Sequence, residues 1–144
     1  MKSAAILTAS ILAALTVTVA FSLMSFYMPV HSVGQIKTVG VGVYWDINCT
    51  MRATGIDWGL LEPGQNKSVI VYVRNESNVP VSLSLSTANW NPVNASNYIT
   101  LTWSYEGQFL KQGDVVKVAL TLLVSDQIKG VADFSFDIII AGSG

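Results

Sequence analysis

Alternation with a period of two constrains this chain more than any other feature. Val81, Leu83 and Leu85 alternate with Ser82, Ser84 and Ser86. Ile99, Leu101, Trp103 and Tyr105 alternate with Thr100, Thr102 and Ser104. Within Val115–Ser125, Val116, Val118, Leu120, Leu122 and Val124 share one face, and Phe134, Phe136, Ile138 and Ile140 do the same further on. Successive side chains of a strand point to opposite faces, so each row buries one side and wets the other; no helical spacing fits these segments better. Upstream, Thr38–Trp45, Ile56–Leu60 and Ser68–Arg74 read as further strands, with turns at Glu62–Asn66, Asn75–Val79, Glu106–Gly107 and Gln112–Asp114. The pattern predicts an all-β fold over residues 38–144, a seven-stranded antiparallel Ig-like β-sandwich with a core large enough to need no disulfide.

Two of these strands are expected to be sheet edges. Thr38–Trp45 is Gly-rich and uncharged, and Val81–Thr87 is uncharged with an outward row of Ser. Neither carries the inward Lys or mid-strand Pro that blocks an edge, so association with envelope proteins or with a second copy is expected to run through one of them. Val41 and Ser84 are the residues that mark these contacts.

The first quarter of the chain is a different object. From Ser3 to Met28 there are 26 residues without a charge. About 20 apolar residues span a bilayer as a helix, and Phe26 and Tyr27 stand where interfacial aromatics belong, with Pro29 as the stop. Residues 1–28 therefore read as a single transmembrane helix, residues 29–37 as a short linker, and residues 38–144 as the ectodomain. Lys2 and the amino terminus are the positive flank, which keeps the N-terminus cytoplasmic and the domain outside the cell membrane. The alternative is a cleaved signal peptide, with Thr18-Val19-Ala20 as a fair processing site and a secreted product.

Composition narrows the function. The 144 residues carry eight Lys/Arg and nine Asp/Glu with no basic cluster, which argues against nucleic-acid binding. One His and one Cys cannot build a zinc site, a Ser/His/Asp triad in the ectodomain or an internal disulfide. His31, in the linker, reads as an ordinary polar residue. Cys49 reads as a buried, inert thiol. Asp46-Ile47-Asn48 begins like a calcium loop but places Met51 where Gly is required and Asp57 where Glu is expected. Asp126, Asp133 and Asp137 read as solvated turn carboxylates. No catalytic residue, metal ligand, cofactor or small-molecule substrate is expected, and the chain is read as a non-enzyme.

Four Asn-x-Ser/Thr triplets occur, at Asn48, Asn66, Asn75 and Asn94. Eight Asn and 25 Ser plus Thr in 144 residues would give roughly 1.4 by chance. All four fall at predicted turns or strand ends, where a glycan can point to solvent. Among the four Trp, Trp103 is assigned to the core and Trp58 to one end of the sandwich. Trp90 sits in the polar stretch Thr87–Asn97, expected to be a loop. It either folds back over the sandwich or stays exposed for contact with a sugar or a protein.

The elements Asp57-Trp58-Gly59, Glu62-Pro63-Gly64, Val71-Tyr72-Val73-Arg74-Asn75 and Val79-Pro80-Val81 carry a resemblance. Over roughly residues 38–141 the chain resembles small archaeal envelope proteins with one immunoglobulin-like domain behind an N-terminal membrane segment. More distantly it is similar to Ig-like modules appended to surface and carbohydrate-active proteins. These are turn and core motifs, so the resemblance implies a fold and a location and no activity. Two functions are expected: a membrane-anchored module that binds or spaces envelope components, or a secreted subunit of a surface filament assembled by strand addition, with Ile36–Tyr44 as the donated segment.

Overall fold

The computed structural model describes residues 30–144; the expected transmembrane segment, residues 1–28, lies outside them. Among the described residues eight strands form: β1 (Val30–Val39), β2 (Val41–Tyr44), β3 (Gly55–Leu61), β4 (Asn66–Asn75), β5 (Ser82–Asn91), β6 (Ile99–Trp103), β7 (Val115–Val124) and β8 (Asp133–Ser143), with a short 3-10 turn at Val93–Asn97. They divide into two four-stranded sheets, ordered β3-β1-β8-β5 and β2-β4-β7-β6. The alternating rows meet between the sheets: Leu120 and Leu122 from β7, Val71 and Val73 from β4, Ile138 and Ile140 from β8, and Trp58 and Leu61 from β3 lie in one buried cluster. The chain is thus a β-sandwich, with the inward rows where the alternation puts them.

The strand count and the strictly antiparallel pairing differ from expectation, and both differences come from β1. Residues 30–37 are not a linker. They form an interior strand of the first sheet, antiparallel to β3 and parallel to β8 over His31–Val39 and Asp133–Ala141. The inward row of β1 begins with Ser32 and Gly34, both buried, while Val33, Gln35 and Lys37 face outward. Small inward residues hide the period-two signal that identified the other strands. They are also what fits: a Cβ at Gly34 would stand 2.9 Å from Ile138 Cδ1.

Thr38–Trp45 is not one strand either. It breaks at Gly40, whose φ of +73° is open to glycine at little cost. Through this one residue the chain leaves the middle of the first sheet and becomes β2, the edge of the second.

Candidate functional site

Beside β2 the structure assembles a charged cluster that single-residue reading missed. Tyr44, the last residue of β2, is 4% exposed. Its hydroxyl donates to Glu76 and accepts from Arg52 Nη2 (3.0 Å) and Arg74 Nη2 (2.9 Å). Both guanidinium carbons lie over the Tyr44 ring, 5.1 and 5.0 Å from its centroid. Arg74 and Arg52 also share Glu76 Oε1, at 3.1 and 3.5 Å. The Tyr44 hydrogen bond, reinforced by both arginines, holds the Glu76 carboxyl below its ordinary range, and the same bond to Glu76, with burial, raises the Tyr44 phenol. Gly42 is required here, since a Cβ would collide with the Glu76 carboxylate. Two guanidinium groups around one carboxylate give a locally cationic clasp that fastens the β2–β3 loop to β4. Neither the phenol nor the carboxylate is tuned towards neutral pH, so the cluster has no acid–base poise.

The loop itself is fixed from within. The Asp46 carboxylate accepts from the backbone N–H groups of Thr50 (3.0 Å) and Met51 (2.9 Å) and from the Thr50 hydroxyl. Those bonds, the hydroxyl first, hold Asp46 below its ordinary range. Asp46-Ile47-Asn48 is therefore a capped turn. Cys49 sits in it at φ +57° and is half-buried, so its thiol is not the buried one expected.

The four acceptor triplets separate into two kinds. Asn48, Asn66 and Asn94 are exposed. Asn75 is 1% exposed, and its position corrects the expectation that it carries a glycan. Its Nδ2 donates to the carbonyls of Val79 (2.8 Å) and Leu110 (2.9 Å), and its Oδ1 accepts from the Ser77 N–H (2.9 Å) and hydroxyl (2.6 Å). Both amide hydrogens are used, and the inward row of β4 ends in this side chain, which leaves no path for a sugar. Here Asn-Glu-Ser is turn chemistry.

Trp90 lies on β5, which runs to Asn91 and takes in the first part of the expected loop. The ring folds back and stacks on Phe136 (centroids 4.3 Å apart, 8° between planes), while its Nε1 donates to Thr87 Oγ1 (3.2 Å). It is half-buried against the core and offers no free ring face on that side. Trp58 is fully buried in the core, and Trp103 is half-buried against it. Asp137 is no turn carboxylate: it is buried beneath Lys37 Nζ (2.8 Å) and Asn89 Nδ2 (2.7 Å), and these bonds, that of Lys37 first, hold its carboxyl below the ordinary range.

Of the first expected edge only Val41–Tyr44 is an edge, as β2, because Thr38 and Val39 lie in the interior strand β1; the second expected edge is β5, and both carry cover. On β2, the Ala53 N–H donates to the Val43 carbonyl and the Trp45 N–H to the Met51 carbonyl, so residues 51–53 lie along its outer side. The Val41 side chain is 4% exposed and belongs to the core, which rules it out as a contact residue. On β5, Ser84 is exposed as expected. The first residues of that edge are occupied, Val81 by paired bonds to Leu110 and the Leu83 N–H by the Tyr105 hydroxyl (3.0 Å).

Among the described residues no helix is long and apolar enough to cross a membrane, and no group of three or more His, Cys, Asp and Glu could hold a metal ion. No protein-family model matches the chain, and no curated protein matches it. Among solved structures it is similar to the ASH/PapD-like domain of human CEP192 (PapD-like domain 7), at 12% identity and a TM-score of 0.32 over 57% of this chain and 75% of that one. The sandwich assignment rests on the chain's own sheet order.

Proposed function

We propose that this chain is a non-catalytic module of the cell envelope: an Ig-like sandwich held at the outer face of a membrane by residues 3–28, where it binds or spaces other envelope components. The observation that carries this reading is the position of β1. The apolar run ends at Met28 and β1 begins at Val30, paired on both sides. A module joined this way has almost no slack. The end of the sandwich where β1 begins, with Leu61 and Asp133 as neighbours, would rest against the headgroups and hold the rest at a fixed height. Exposed Asn66 and Asn94 support a glycosylated surface. The sequence inventory of one His and one Cys supports a role without catalysis.

One observation favours the second reading, a secreted filament subunit. The segment that fills the middle of the first sheet is N-terminal and hangs on Gly40 alone. The two buried side-chain atoms without a partner among the described residues, Ser32 Oγ and Trp58 Nε1, are on β1 and its neighbour β3. Unsatisfied buried groups weaken that seam. The expected donor Ile36–Tyr44 is divided between β1 and β2 in different sheets, so the candidate donor is β1 itself; if processing freed Val30–Val39, the same slot could accept this strand from another copy.

N-terminal sequencing and fractionation of native material decide between the two. An intact N-terminus in the membrane fraction, with the domain removed by protease added to whole cells, supports the anchored module. Cleavage ahead of β1 together with salt-resistant polymers supports the filament.

A further inference from the structure

We propose that the free edge of β6 is a homodimer seam, in which two copies pair antiparallel about a two-fold axis through Thr102. The other three edges are covered or broken. Residues 51–53 lie along β2. The edge strand β3 is kinked at Gly59 (φ +70°), and Lys67 Nζ occupies the Trp58 carbonyl at 2.7 Å. The first part of β5 is occupied as described, and at Asn89 (φ +54°) its ladder becomes irregular.

The remaining edge, β6, has none of these devices. Tyr98–Ser104 reads Tyr-Ile-Thr-Leu-Thr-Trp-Ser, without charge, Gly or Pro. Such an edge is a template for another strand. The Ser125 N–H donates to the Tyr98 carbonyl and the Ser104 N–H to the Ala119 carbonyl, so the even-numbered residues bond to β7. The N–H and C=O groups of the odd-numbered residues therefore point away from the sheet. Ile99 is almost fully buried, which removes its groups from reach. Leu101 and Trp103 are partly exposed, and their outward groups have no partner among the described residues.

This pair of residues is self-complementary. With the axis at Thr102, Leu101 of one copy faces Trp103 of the other, and each exchanges both bonds with its mate. Thr102 then faces Thr102 in a pair without backbone bonds, and Thr100 faces Ser104. The facing side chains are hydroxyls that repel nothing, as a contact between identical surfaces requires. The joined sheet would run β2-β4-β7-β6 and then the same strands in reverse. The seam is independent of whether β1 stays in its own copy or is exchanged.

The test is sedimentation of the purified full chain. Wild type should self-associate to a dimer. Thr102→Lys sets two ammonium groups face to face and should weaken the dimer roughly tenfold or more, and Thr102→Glu should do the same. Because Thr102 is exposed, both variants should keep the wild-type near-UV spectrum. Mixing the two in equal amounts should restore dimers, now heterodimers. A folded wild type that stays monomeric at high concentration overturns the proposal. So does a Thr102→Lys variant that dimerises like wild type, or a mixture that stays monomeric.

Discussion

Asn75→Ala should be among the most damaging polar substitutions in this chain, although its sequence context is that of a surface glycan acceptor. The side chain makes four hydrogen bonds, two to carbonyls and two from Ser77, and ties the turn after β4 to the segment around Leu110. At about 0.5–1.5 kcal/mol net for each bond the loss lies between about 2 and 6 kcal/mol. The lower half is expected. The Leu110 carbonyl keeps the Val81 N–H and the Val79 carbonyl keeps the Ser77 hydroxyl, so neither acceptor is stranded. A loss of about 2–3 kcal/mol follows. Asn75→Asp should be worse at neutral pH, because a carboxylate would face two carbonyls where two donors stood. Burial there pushes the new carboxyl above its ordinary range of about 3.9, so the deficit should shrink as pH falls through that raised value. Urea unfolding at constant m-value measures both, with Asn48→Ala as an exposed control within about 0.5 kcal/mol of wild type. A loss below about 1 kcal/mol for Asn75→Ala, or a glycopeptide modified at Asn75, would refute the reasoning.

Three further outcomes follow from the same geometry. Leu120→Ala should cost about 2–5 kcal/mol in denaturant unfolding, while Ser84→Ala stays within about 0.5. Val41→Lys should abolish cooperative unfolding at room temperature, because it inserts an unpaired charge into the core; a well-folded variant would show that β2 lies differently. Asp137 is held below its ordinary range, so its contribution is complete above about pH 4 and is lost as pH falls through its lowered folded value. Lys37→Met should therefore flatten the acid limb of the stability profile, and an unchanged limb would count against the Lys37–Asp137 pair.

The large inward rows were legible before any coordinates, since Val, Leu, Ile and Phe at every second position of β7 and β8 leave no other reading. The strand that organises the first sheet was not. Gly34 sits inward where the Ile138 and Trp58 side chains crowd the place of a Cβ, Ser32 is its small inward neighbour, and smallness at alternate positions looks like a linker. The continuation of β5 through Trp90 was obscured by Asn and Pro nearby. The Tyr44 clasp joins residues 44, 52, 74 and 76, a grouping that the β2–β4 register and the Tyr44–Arg52 bridge create together. Asn75 was legible as a turn residue, and only its burial decides that the amide serves the turn and cannot take a sugar.

The parallel pairing of β1 with β8 sets how this module would carry load. Val30 and Ser143 lie at opposite ends of two adjacent strands that run the same way. If the chain is held at its amino end and pulled from its carboxyl end, the two strands are drawn past each other along their length. The bonds from His31–Val39 to Asp133–Ala141 then share the tension, where a hairpin pulled from its open end would lose them one at a time. Forced unfolding is governed by the unfolding rate, and a ladder in shear keeps that rate low. Drawn out along the direction of these two strands, such a sandwich gives way only when the whole ladder between them fails together.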